Sequence, residues 1–372
     1  MRAVGRWVFG LGALAASFLA CNIGGGDGTG PPPSAYNNFV YVSNWASENI
    51  SAFSLHTLSG ALVETQGSPF AAGGSPISIA VHPSGKFAYT VSNVRNTVAV
   101  FSIDAGSGAL SEVAGSPLDA DFPRAIAIDP LGRYAFVLGP GNGIASYAIS
   151  PSTGLLTEVP GSPFPAGDLL WSIAVDPLGR FVLAADLEAG SVRAFVVEPS
   201  TGVLSEVAGS PYAAGDNPAS IDFDPQGRFA YVANFASDSV SAFAIDASSG
   251  ALSEIAGSPF ASIGCPKSIA VSPSGKFAFV LNHVSDSLSV FSIHDVSGAL
   301  SEVAGSPFAT MDRPESVAVD PLGKYVFVVN FFYESVSVFA INITTGALLP
   351  VSGSPFMTGV YPSSLVAVRI AQ

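Results

Sequence analysis

The tripeptide Gly-Ser-Pro recurs seven times in this chain, beginning at Gly67, Gly115, Gly161, Gly209, Gly257, Gly305 and Gly353. All intervals are 48 residues except the second, which is 46. A longer phrase, GALSEVAGSP, stands at Gly108–Pro117 and again, unchanged, at Gly298–Pro307. A fixed period of this length means that one supersecondary unit is repeated and buries its apolar faces against its neighbours.

The unit from Pro76 to Phe122 shows what is repeated. Ser78–Val81 (SIAV) is a short apolar run suited to a strand buried on both faces. His82–Lys86 (HPSGK) follows, matched by turns starting at Asp129, Asp176, Asp224, Ser272 and Asp320. Proline presets φ there and glycine accepts positive φ, so a tight turn is specified. Phe87–Asn93 and Thr97–Asp104 read as the second and third strands, and Ala109–Val113 as the fourth. Four antiparallel strands with alternating short and long connections make a propeller blade.

The expected fold is therefore all-β, a seven-bladed β-propeller of four-stranded antiparallel blades. The chain ends complete it. Residues 364–369 match an inner strand with nothing after it, and Phe39–Asn44 matches a second strand with nothing before it. One blade should then be built from both ends, which removes the open sheet edge of a linear array. Ala80, Ala127, Ala174, Ala270 and Ala318 recur on the inner strands, where blades converge; Asp222 and Val366 break the pattern. Phe87, Tyr134, Phe181, Phe229, Phe277 and Tyr325 follow the tight turns and are expected as wedges between blades.

The first 21 residues stand apart. Arg2 and Arg6 precede an uncharged apolar run from Val8 to Ala20, too short to span a bilayer comfortably. It ends in Phe18-Leu19-Ala20-Cys21, which resembles a bacterial lipobox, with Phe18 a departure from the usual aliphatic residue. The expectation is a lipoprotein signal peptide (1–21), a lipid anchor on Cys21, a Gly/Pro-rich tether (22–37) and a propeller (38–372). The anchor implies a membrane partner and an extracytoplasmic bacterial location. Asn22 favours the outer membrane or cell surface over the inner membrane. Cys265 is the other cysteine, leaving no internal disulfide pair. The formal net charge of −14, without a basic cluster, argues against nucleic acid as a partner. The body is expected to be monomeric.

The segments beginning at Tyr41 (YVSN) and Tyr231 (YVAN), the Asp-Pro-x-Gly-Arg turns and GALSEVAGSP resemble the lactonase-type seven-bladed propellers, which overlap with the YVTN-repeat propellers. The resemblance covers residues 38 to 370 and implies the fold. For activity it implies a lactonase of the 6-phosphogluconolactonase type, although many members resemble surface repeats, and fold does not fix function.

Strand direction places the long loops, which run on from each Gly-Ser-Pro, on one face. The residue after each inner-strand proline is Ile77, Arg124, Ala219, Lys267, Glu315 or Ser363, with Trp171 where Leu170 replaces proline. Arg124, Trp171, Lys267 and Glu315 are the candidate ligand-binding ring, with Arg313 and Tyr361 behind it. Two cations, a carboxylate and an aromatic platform suit an anionic or sugar-derived ligand. Arg124, His283 and Glu315 are the catalytic candidates if the chain is a lactonase. Enzyme-like members carry His after that Arg and Glu after the strand-ending Asn. Here Ala125 follows Arg124, and the corresponding pairs, including Asn93-Val94 and Asn282-His283, lack the Glu. The repeated Asn reads as a turn residue at left-handed φ. No metal-ligand spacing and no cofactor motif is present in the sequence. The expected function is a cell-envelope binding and interaction module, for a ligand or a partner protein. A lactonase and a ligand-free structural repeat are the alternatives.

Overall fold

The computed structural model describes residues 36–139, 143–167 and 169–371. The leader, Cys21 and most of the tether lie outside the described residues. Seven antiparallel sheets follow one another, and each inner strand packs beside those of the adjacent blades. Blade 1 is Ser78–Val81, Phe87–Ser92, Thr97–Ile103 and Leu110–Glu112. The inner strands of blades 2 to 6 are Ala125–Ile128, Leu170–Val175, Pro218–Phe223, Pro266–Val271 and Pro314–Val319. In blade 7 the last strand, Pro362–Ala371, pairs antiparallel with Tyr36–Asn44, and Asn49–Leu55 and Leu62–Glu64 complete the sheet. The chain ends thus share one blade.

Each blade also carries a fifth strand of two residues, such as Phe260–Ala261, which pairs back onto the third strand. It explains the Gly-Ser-Pro signature. In all seven blades the serine Oγ accepts a third-strand backbone N–H, for example Ser258 from Ala242 at 3.0 Å and Ser354 from Val338 at 2.8 Å. The tripeptide therefore ties the outer edge of every blade to its centre.

Blade-to-blade packing explains the rest of the phrase. The glycine of Gly-Ala-Leu, or of its variants such as Gly202-Val203-Leu204, has positive φ and abuts the aromatic wedge of the preceding blade. A Cβ on Gly202 would lie 2.4 Å from the ring of Tyr134, and one on Gly298 would lie 2.6 Å from Phe229. Phe39 is the seventh wedge, against Gly108. Tyrosine hydroxyls reach the same turns: Tyr231 donates to the Gly298 carbonyl at 2.9 Å, and Tyr41 to Gly108 at 3.0 Å.

The tight turns on the short-turn face form a second tie. Asp176 and Asp224 are fully buried. Asp176 accepts the Arg180 N–H and guanidinium at 2.6 Å each, and the Arg228 guanidinium lies 3.0 Å from Asp224. These arginines continue into the next blade, Arg228 donating to the Asp295 carbonyl at 3.0 Å and Arg133 to that of Pro199 at 2.8 Å.

The strand-ending Asn is not a turn residue at left-handed φ. Asn44, Asn234, Asn282 and Asn330 are fully buried. Each donates its amide N–H groups to the third strand, as Asn234 does to Ser239 at 3.1 Å and Ser241 at 2.9 Å. The left-handed positions lie four residues later, at Glu48, Asp238, Asp286 and Glu334. Blade 1 corrects the register further. Ser92 pairs with Thr97 as Asn234 pairs with Ser239, so Ser92 ends the strand and Asn93 occupies the following position.

Candidate functional site

All seven residues that follow the inner-strand proline or its equivalent line one cavity of about 370 Å³. They sit at the starts of the inner strands, where the long loops end, so the cavity is the mouth of the axial channel on the long-loop face. Its floor carries serine hydroxyls from the next position along. Ser172, Ser220 and Ser268 each accept the backbone N–H of the following blade's inner strand at 3.2 Å. A hydroxyl that accepts in this way keeps its own O–H to donate, so the ring that joins the blades also gives the cavity a polar floor. This serine series was periodic in the sequence and went unread. Ala125 interrupts it in blade 2.

The charged residues collect at two poles. On one wall the Lys267 ammonium pairs with the Glu315 carboxylate across blades 5 and 6. His283 stands behind them, its Nδ1 3.0 Å from the Pro314 carbonyl and 3.5 Å from Glu315 Oε1. A carbonyl only accepts, so Nδ1 carries a proton and donates it there. Glu315 and Lys267 line the cavity, whereas His283 does not. At the other pole the Arg124 guanidinium lies 5.2 Å from the centre of the Trp171 ring. Among the described residues no carboxylate lies within ion-pair distance of Arg124. Two blades separate blade 2, which carries Arg124, from blade 5, which carries Lys267. Arg124, His283 and Glu315 therefore do not form one triad: Glu315 and His283 come together, and Arg124 stands elsewhere on the ring.

Asn93 is a further cavity residue, at the position held by His283 in blade 5 and Phe331 in blade 6. Counting from the wedge Phe87, rather than from the Asn itself, would have found it. Arg313 and Tyr361 are not in the cavity wall. The Arg313 guanidinium lies 5.1 Å from the Phe332 ring centre, and the Tyr361 ring stacks on Phe331 at 4.6 Å and 8°. Both have positive φ, at 49° and 53°.

Asp222 belongs to the axial wall and not to the mouth. Its carboxylate accepts the N–H of Phe223 at 2.8 Å and that of Val271 in the next blade at 2.7 Å. Burial pushes its pKa up to about 6, against those two hydrogen bonds, which pull it down. Among the described residues no group of three or more His, Cys, Asp or Glu side chains is placed to hold a metal ion.

A seven-sheet propeller with this mouth defines the class of the protein. The family model for lactonases with a seven-bladed β-propeller matches residues 34–171 and 168–360, and the chain belongs to that family. Three solved structures are similar to it. A candidate 6-phosphogluconolactonase of Bacteroides fragilis NCTC 9343 is 21% identical, with a TM-score of 0.78, over 91% of this chain and 100% of that one. Another, of Bacteroides uniformis ATCC 8492, is 20% identical, with a TM-score of 0.77, over 90% and 100%. The periplasmic gluconolactonase PpgL of Pseudomonas aeruginosa is 22% identical, with a TM-score of 0.73, over 90% and 99%. No curated protein matches the chain.

The family assignment overturns the expectation of a binding module without turnover. That expectation rested on a missing His after Arg124 and a missing Glu after the strand-ending Asn. Both were sought at fixed sequence positions. The fold instead supplies a carboxylate, an ammonium and an imidazole from positions 267, 283 and 315, assembled across two blades.

Proposed function

We propose that the protein is a lactonase that opens a sugar lactone in the axial mouth. The observation that carries this reading is the Lys267–Glu315 pair with His283 behind it, lining the mouth of a lactonase-family propeller. Lactone hydrolysis needs a water relieved of a proton and a donor for the oxygen that becomes negative. Glu315 accepts the proton of the attacking water, and the neighbouring Lys267 ammonium holds the carbonyl oxygen. The water oxygen bonds to the carbonyl carbon, the ring C–O bond breaks, and the proton passes to the departing ring oxygen. The product is the open-chain hydroxy acid. His283, fixed by its Nδ1–H on the Pro314 carbonyl, backs Glu315 at 3.5 Å. Arg124, on the Trp171 ring, faces the lactone from across the mouth, and the serine floor meets its hydroxyls.

The anchor and location belong to the same proposal. A lipid on Cys21 would hold the propeller at the outer membrane or cell surface. The likeness to a periplasmic gluconolactonase supports an extracytoplasmic substrate. A cytoplasmic phosphogluconolactone would not meet such an enzyme.

The test is proton release by the purified full-length protein on glucono-1,5-lactone, corrected for uncatalysed hydrolysis. Turnover that collapses in Lys267→Met supports the assignment. Turnover that survives Lys267→Met and Glu315→Gln alike puts the chemistry elsewhere.

A further inference from the structure

We propose that the substrate is a lactone carrying a neutral sugar ring, and that this second ring lies on an aromatic shelf beside the mouth. The proposal rests on the lactonase reading and names its substrate class. The shelf is built from Phe331, Phe332 and Tyr361, where blades 6 and 7 meet. Phe331 and Tyr361 stack on one another, and Phe332 meets Phe331 edge-on at 5.2 Å. The Trp45 backbone N–H holds the Tyr361 carbonyl at 2.9 Å and so fixes the chain that carries that ring. Phe332 is 46% exposed. The shelf is continuous with the cavity wall: Tyr361 is two residues before Ser363, and Arg313, whose carbonyl accepts the Phe331 N–H, is two before Glu315. At the position of Trp45 and Phe331, blades 1 and 3 carry Asn93 and Leu187 and blade 4 carries Phe235, which sits against His283; across the mouth Trp171 is exposed, under Arg124.

The chemistry favours a glycosyl ring over the other substituents a lactone could carry. A phosphate dianion asks for two or more converging cations. Lys267 is engaged with Glu315, Arg313 lies on Phe332, and Arg124 belongs to the other pole. The net charge of −14 repels a dianion at longer range. An acyl chain gains most when removed fully from water, which a half-exposed shelf does not offer. A pyranose has an apolar C–H face for the negative face of an aromatic ring, and hydroxyls that stay in water.

The test compares glucono-1,5-lactone, its 6-phosphate, its 6-hexanoyl ester and its 4-O-β-glucosyl derivative. The glucosyl lactone is expected to show kcat/KM about tenfold above the unsubstituted lactone, the scale of one aromatic stacking contact. In the Phe331→Ala, Phe332→Ala double variant that ratio should fall to near one through KM, and Phe331→Tyr should retain it. A merely structural role would lower both rates and leave the ratio. Parity in the wild type, a preference for the phosphate or the acyl ester, or an unchanged ratio in the double variant overturns the proposal. If none of the lactones is opened, the lactonase reading fails, and calorimetry still decides the shelf. Glucosyl-gluconate binding about tenfold tighter than gluconate, lost in the double variant, supports it, and equal binding overturns it.

Discussion

On the short-turn face, Arg133, Arg180 and Arg228 each close their own turn on a buried Asp and then reach a carbonyl of the next blade. On the long-loop face, the residue after the inner proline or its equivalent differs in every blade: Ile77, Arg124, Trp171, Ala219, Lys267, Glu315 and Ser363. The same repeat is copied at one end and individualised at the other. The arginine joint is made in three blades and the glycine–wedge joint beside it in all seven, so these residues recur. A substrate meets the ring once, from one side, so its contacts need no copy. In a closed repeat, recurrence marks stability and its interruption marks where function can be placed.

The largest expected effect that could break this contrast is at Glu315. Glu315→Gln keeps the shape and removes the proton acceptor, so kcat on a lactone should fall by about 10²–10⁴. Stability should change by about 1 kcal/mol, because the pair with Lys267 is only partly buried. Steady-state kinetics and thermal melting on the same preparation decide it. A variant that melts much earlier but turns over normally would make the mouth a structural joint.

Gly202→Ala is the converse experiment on the short-turn face. The backbone there has φ +75°, and the new Cβ would lie 2.4 Å from Tyr134. Left-handed strain and overpacking together should cost about 2–4 kcal/mol. The melting temperature should drop by several degrees while kcat at 25 °C stays at the wild-type value. A melting temperature equal to wild type would show that the Tyr134 wedge yields freely, and that the recurrent glycine is not required by packing.

The difference between the faces also explains what was legible in the sequence. Seven Gly-Ser-Pro copies in phase declare the blade, and complementary half-blades at the two ends declare the closure. The mouth was legible because one position could be compared across blades. What could not be read were partnerships. His283 and Glu315 were grouped from the sequence, but Arg124 was grouped with them; that Arg124 meets Trp171 instead depends on how side chains 47 positions apart face one another across a blade boundary. Asn93 was lost for another reason: it was aligned by residue identity with Asn234, whereas strand pairing aligns Ser92 there. The role of Gly-Ser-Pro was hidden too, since its serine acts on a strand 16 residues back.

Asp222 sharpens the rule by being an interruption away from the mouth. It replaces an inner-strand alanine, yet both its oxygens are occupied by backbone N–H groups, one in its own strand and one in the next blade. Its expected role is structural, and its pH dependence follows from its raised pKa. A carboxyl whose folded pKa is about 6, above an ordinary carboxylate, holds its proton more tightly folded than unfolded. It therefore supports the fold most at low pH, and that support is lost as pH rises from about 4 to about 6. Asp222→Ala removes this dependence along with the two hydrogen bonds. The variant should be less stable than wild type near pH 4. The difference should then shift by about 2 kcal/mol in its favour towards pH 7 and stay flat above. Paired melting curves across that range measure the shift directly, and background titration of the other carboxylates cancels between the two proteins. Lactone turnover at pH 7 should be unaffected, because Asp222 is not in the wall of the mouth. A stability difference independent of pH would mean that the carboxyl titrates normally. A loss of turnover without a loss of stability would make Asp222 a functional interruption after all, and would extend the site from the mouth down the channel.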